Sequence, residues 1–147
     1  MSEQLILNDL VSKWVSLTRE YVGAAPDVSA YYLYGLHERI GTGGRLFSVP
    51  LFEQKGAIVW AGRLVGAENS IERQQSVLRL MNEDFSGATA AFDSEGIPAP
   101  TEYRIYYEPG SGKLDAQLSR EVRYYGTTET TPLDGVKAWL GTRMPER

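Results

Sequence analysis

Residues 101–119 read TEYRIYYEPGSGKLDAQLS, and the PGSGK at 109–113 has the look of a phosphate-binding loop. Such a loop has the form G-x-x-x-x-G-K-[ST] and lies between a strand and a helix whose N-terminus meets the phosphates. The spacing here denies it. Counting back from Gly112, Tyr107 stands where the first glycine belongs, and Leu114 stands where the magnesium-holding hydroxyl belongs. The flanks instead alternate with a period of two. Tyr103, Ile105 and Tyr107 face one way, and Glu102, Arg104, Tyr106 and Glu108 face the other. Beyond the turn, Leu114, Ala116, Leu118 and Val122 alternate with Lys113, Asp115, Gln117, Ser119 and Glu121. Alternation of this kind marks half-buried strands. It predicts a β-hairpin of strands 101–108 and 113–125, in which proline and glycine supply a preset φ and a positive φ at the turn.

Working outward, Leu7, Leu10, Val11, Trp14, Leu17 and Tyr21 recur every three or four residues, the stripe of an amphipathic helix over 3–22 that Gly23 and Pro26 end. AYYLYGLHERI (30–40) suits a strand of about seven residues, GTGG (41–44) a turn, and RLFSVPLFEQ (45–54) a second strand that Pro50 places at an edge or bulge. AIVWAGRL (57–64) predicts a third strand, completing an antiparallel meander. Asn69 or Ser70 caps a long helix to about Glu95, with Gly87 marking Ser86-Gly87 as the place for a kink. Thr131-Pro132 and Asp134 open a short helix over 132–140. The expected fold is therefore a single α+β domain over 1–147, an antiparallel sheet with helices packed on one face in the order α-β-β-β-α-β-β-α.

The composition narrows the function. With no cysteine there are no disulfides, thiolate metal sites or cysteine nucleophiles. The formal charge of −4 disfavours a nucleic-acid binder, which needs a basic face, and suits a basic protein partner. Glu3 stands where a signal peptide would carry a base, and no apolar run approaches the roughly 20 residues that span a bilayer, so a cytoplasmic address without membrane contact is expected. GTGGR fails the dinucleotide fingerprint because no glycine occupies its last glycine place, which leaves a hairpin loop able to mould onto a partner. His37, the only histidine, reads as a surface residue at a strand end, with no metal loop or nucleophile elbow beside it. No cofactor is expected.

Two stretches stand out as partner-binding candidates, and together they are expected to form one interface. Segment 68–95 carries a net charge of −4, with Glu83 and Asp84 at its centre. The polar side of the hairpin adds Glu102, Arg104, Tyr106, Glu108 and Asp115. Alternation also sends Tyr31 and Tyr32 to opposite faces, as it does Tyr106 and Tyr107. One set from the cluster Tyr31, Tyr32, Tyr34, Tyr103, Tyr106, Tyr107, Tyr124 and Tyr125 then lies away from the helices unless something else covers it. Exposed Tyr with Arg is typical of protein interfaces.

The order of these pieces resembles the YezG-like immunity (antitoxin) family of bacterial polymorphic toxin systems. The resemblance lies in YYLYGLHE before the glycine turn, in the long helix leading to SEGIPAPTEYRIYYEPGSGKLDAQLS, and in the closing GVKAWLG. The long second arm, LSREVRYYGTTETT, and Pro50 depart from that pattern. Membership implies a non-enzymatic protein that binds and blocks a cognate toxin, here a basic, nuclease-like one to suit the charge. The helix order also resembles type III secretion chaperones, which would imply a homodimer holding an extended effector segment. An enzyme or small-ligand domain, the third reading, would need a deep pocket with convergent polar groups.

Overall fold

The apolar stripe of residues 3–22 becomes helix α1 (Glu3–Val22), whose cap Ser2 accepts the Leu5 N–H. The chain then forms β1 (Val28–Ile40), β2 (Gly43–Gln54) and β3 (Ala57–Trp60), helix α2 (Ile71–Ser94), the hairpin β4 (Glu102–Tyr107) and β5 (Leu114–Ser119), and helix α3 (Pro132–Leu140). These elements come from a computed structural model that describes residues 2–124 and 130–146. The sheet is antiparallel throughout, in the order β3-β2-β1-β4-β5. The α+β class and the α-β-β-β-α-β-β-α order are those expected. Among the described residues, no helix is long and apolar enough to cross a membrane.

Helices α1 and α2 pack together on one face of the sheet. Their stripes meet Tyr31, Leu33, Phe52, Tyr103 and Ile105, and Trp14 and Phe85 are fully buried among them. The Trp14 and Phe85 rings meet edge to face at 5.5 Å, and Phe85 meets Tyr103 at 5.1 Å. The Trp14 indole N–H donates to the Met81 carbonyl at 3.0 Å, which ties the two helices together. Gly35 is what lets both rings reach the sheet. A Cβ there would lie 2.7 Å from both Trp14 and Phe85, inside the packed interior where a methyl group already matters.

Several boundaries differ from expectation, each for a local reason. Strand β1 has 13 residues rather than about seven, because the turn closes in two residues, 41–42, and Gly43 and Gly44 enter β2. Strand β3 stops at Trp60 instead of reaching residue 64, and 61–63 form a 3₁₀ turn. With Leu51 opposite Trp60, the next residue of β3 would face Pro50, which has no N–H to give. Helix α2 runs unbroken through Gly87. That residue is exposed, while Val77, Met81, Phe85, Ala88 and Phe92 pin the opposite side, so packing overrides the roughly 1 kcal/mol glycine penalty. Strand β5 ends at Ser119, short of the expected residue 125, because β4 begins only at Glu102 and offers nothing further to pair with. Tyr125 lies outside the described residues.

The other face of the sheet is also covered. Helix α3 and the following segment to Met144 pack over Ala30, Tyr32, Tyr34, Leu36, Leu51 and Ile58. The two long helices thus share one face as expected, while short α3 takes the other. Of the tyrosines expected to be open, Tyr34 is fully buried and Tyr32 is 8% exposed.

His37 is not a surface strand-end residue. It sits half-buried within β1, its Nδ1 2.9 Å from the Thr89 hydroxyl and its ring edge-on to Phe85. Burial holds its pKa below the ordinary 6.5, and nearby Arg39 lowers it further, while Asp93 opposes them. A folded pKa below the unfolded one means stability is fully present above about pH 6.5 and is lost as pH falls through the folded pKa. His37→Gln should therefore flatten the fall in unfolding free energy as the pH is lowered from 7, measured by denaturant titration. An unchanged slope would remove His37 as the source.

Candidate protein-interaction face

The outward row of the hairpin is set by register. Tyr34 faces Arg104 and Tyr32 faces Tyr106 across β1–β4, and Asp115 faces Tyr106 across β4–β5. Glu102, Arg104, Tyr106 and Asp115 therefore lie on one face, the one α3 covers in part, with Glu108 just beyond the strand end. The sequence grouped these five residues correctly. Their environments differ sharply, however.

Glu102 is not a surface group. It is 3% exposed beneath α3 and accepts the Tyr34 hydroxyl at 2.6 Å. Arg123 and Arg104 approach its other oxygen at 3.5 and 3.6 Å. Burial pushes the Tyr34 phenol far up, and the Glu102 hydrogen bond and charge push it the same way, so the phenol stays a donor. Close by, fully buried Glu38 accepts the backbone N–H groups of Arg123 at 2.6 Å and of Tyr124 at 3.1 Å. Two backbone donors and two guanidinium groups compensate what would otherwise be a steep cost of burying carboxylates. Glu38 was not singled out from the sequence. A carboxylate just past a run that is apolar on both faces, residues 30–36, was the signal available.

Further out, Tyr106 is half-buried and held on two sides. Its ring meets Tyr32 edge to face at 5.2 Å, and its hydroxyl donates to Glu108. That bond is the main cause raising the Tyr106 pKa to about 12 and, with the Ser111 hydroxyl, of lowering that of Glu108. Ser111 donates to Glu108 at 2.8 Å, so the PGSGK turn itself fixes the carboxylate. Within that turn Gly112 adopts φ 78° and donates its N–H to the Glu108 carbonyl at 2.8 Å. Asp115 is exposed, touched only by the Gln117 amide at 3.4 Å in this network. A cleft of about 140 Å³ lies beside this row, lined by Glu102, Arg104, Gln117, Leu118, Ser119 and Arg123.

The acidic pair on α2 lies elsewhere. Exposed Glu83 pairs with Arg79 at 3.1 Å. Half-buried Asp84 faces α1, where burial raises its pKa against the opposing pull of Lys13. Because α2 packs on the far face of the sheet, Glu83 and Asp84 do not join the hairpin row in one surface. The expectation of one interface combining them does not match this geometry. The GTGG turn is also remote from the row, since β4 pairs with β1 only from Tyr31 to Leu36.

Among the described residues, no three His, Cys, Asp or Glu side chains gather where a metal ion could be held. An apolar cavity of about 250 Å³ opens between β2, α2 and α3, lined by Phe47, Val49, Trp60, Val77, Leu78 and Leu133 among others. That is smaller than the roughly 300–1,000 Å³ usual for ligand pockets.

No protein-family model matches the chain, and no curated protein matches its sequence.

The tightest packing at this face is at Gly135 of α3, where a Cβ would collide with the Tyr34 hydroxyl and lie 3.0 Å from a Glu102 oxygen. Gly135→Ala should lift α3 from the sheet and cost about 1–3 kcal/mol, the usual range for overpacking, despite alanine's better helix propensity. Chemical denaturation would measure it. A neutral or stabilising result would show that α3 does not sit directly on this pair.

Proposed function

We propose that this chain is a cytoplasmic, non-enzymatic immunity protein that neutralises a cognate toxin domain by direct binding, with the polar face of the β4–β5 hairpin as its docking surface. The observation that carries the reading is the fixed presentation of Tyr106. Its ring is braced by Tyr32 and its hydroxyl by Glu108, so little side-chain freedom remains to be lost on binding. Rigid, half-buried tyrosines flanked by Arg and carboxylates are the usual energetic centres of protein interfaces. Arg104, Glu108 and Asp115 surround it, and the overall charge of −4 suits a basic, nuclease-like partner. The YezG-like resemblance points the same way. Glu102 contributes from below by holding Tyr34 and the two arginines. Glu83 and Asp84, on the far face, contribute to the long-range field that speeds encounter rather than to contact.

Co-expression with the product of a neighbouring toxin gene tests the reading. Rescue of growth and a stable complex are expected, and a neighbouring toxin that this protein fails to neutralise would sink it. Within a complex, Tyr106→Ala should weaken affinity by about 30-fold, the scale of an interface hot spot. The double change Glu83→Lys and Asp84→Lys should instead slow association at low salt and leave dissociation nearly unchanged, as followed by surface plasmon resonance.

A further inference from the structure

Strand β5 closes one side of the sheet with nothing paired beyond it among the described residues. Which of its backbone groups are free follows from the hydrogen bonds it makes inward. The Lys113 carbonyl accepts from Glu108 N–H, and the Ser119 carbonyl accepts from Thr101 N–H, so both point toward β4. Backbone direction alternates along a strand, so Asp115 and Gln117 also point inward. Leu114, Ala116 and Leu118 then turn their N–H and C=O groups outward, three consecutive bonding positions without a neighbour. An unpaired edge of this sort is a template for another strand.

We propose that two copies of this chain join edge to edge through β5, in the antiparallel register that sets Ala116 opposite Ala116 of the other copy. A two-fold axis can pass through a hydrogen-bonded pair, centred on Leu114, Ala116 or Leu118, or through a non-hydrogen-bonded pair, centred on Asp115 or Gln117, where each residue would face its own copy. Only the Ala116 centre uses all three. Ala116 then exchanges two hydrogen bonds with its counterpart, and Leu114 exchanges two with Leu118 of the other copy, on each side of the axis.

The side chains fit the same register because LDAQL at 114–118 is nearly palindromic. On the α1–α2 side, Leu114 would lie against Leu118 of the other copy, covering a leucine that is 47% exposed in the single chain. On the opposite side, the Asp115 carboxylate would face the Gln117 amide, and Lys113 would face Ser119. No like charges stand directly opposite, which in a sheet would be destabilising. The sheet's other edge is a poorer site: β3 pairs over only four residues, and the β2 stretch beyond it contains Pro50. A single strand pair buries far less than the roughly 1,600 Å² of a standard interface, so the dimer forms with Kd on the order of micromolar. It leaves the polar hairpin face uncovered and does not depend on the toxin-binding reading.

Sedimentation equilibrium on the full chain over a range of concentrations should show a reversible monomer–dimer equilibrium. Ala116→Pro removes an N–H that β4 does not use, so the circular dichroism spectrum and thermal unfolding should persist while dimerisation weakens by at least about tenfold. Independently, Ala116→Cys introduces the only thiol in the protein. In this register the two cysteines lie about 5.5 Å apart between Cα atoms, within disulfide reach, and mild oxidation should give a covalent dimer. Leu114→Cys should not cross-link with itself, because its counterpart lies about four residues away along the strand. A monomer at millimolar concentration, a dimer indifferent to Ala116→Pro, or cross-linking through position 114 rather than 116 would each overturn the proposal.

Discussion

Strand β1 has almost no polar side, and that constraint shapes the rest of the molecule. Tyr31 and Leu33 point to one face and Ala30, Tyr32, Tyr34 and Leu36 to the other, all buried. A strand apolar on both faces cannot lie at the surface of a two-layer domain. It must be central, flanked by β2 and β4, and something must cover each side. Helices α1 and α2 supply one cover; α3 and the segment after it supply the other. One glycine permits each close approach, Gly35 beneath Trp14 and Phe85, and Gly135 above Tyr34.

The second cover is thin, and polar chemistry fills its margin. Beneath and beside α3, Glu102 and Glu38 are buried among arginines, tyrosines and backbone donors rather than apolar side chains. A carboxylate taken out of water is tolerated when each oxygen has partners, and losing one partner would be far more costly than the pair's net worth. Glu38 thereby fixes the path of residues 123–124, a stretch with no strand or helix of its own. Burial thus divides the hairpin's polar row by depth. Glu102 acts inside the fold, Arg104 and Tyr106 lie at its boundary, and Asp115 is in water.

The fold was largely legible because its signals are local. The 3.6-residue stripes of α1 and α2, the alternation at 101–119 and the cap at Thr131 each name an element without reference to its neighbours. What was not legible depended on tertiary partners. The end of β3 is set by Pro50 across the ladder, and the continuity of α2 at Gly87 is set by the core beneath its other side. The cover over Tyr32 and Tyr34 comes from residues more than ninety positions away. The same limit applied to the candidate face: alternation grouped Glu102, Arg104, Tyr106, Glu108 and Asp115, but only packing reveals that Glu102 is buried and that Glu83 and Asp84 lie on the far side. His37 was misread because a half-buried histidine and an exposed one have the same letter and the same neighbours.

The position of α3 in the chain has a consequence for folding. The β1–β2 hairpin closes through a two-residue turn and is the cheapest long ladder to form, whereas β4 must reach β1 across the whole of α2. Helix α3 follows both, so during synthesis Tyr32, Tyr34, Leu36 and Leu51 stay uncovered after the sheet has formed. For that interval the nascent domain carries a broad aromatic surface that attracts chaperones or other unfolded chains. A cover made of one nine-residue helix can settle quickly once released. The brevity of α3, which leaves it the thinner of the two covers, also shortens the time that surface is exposed.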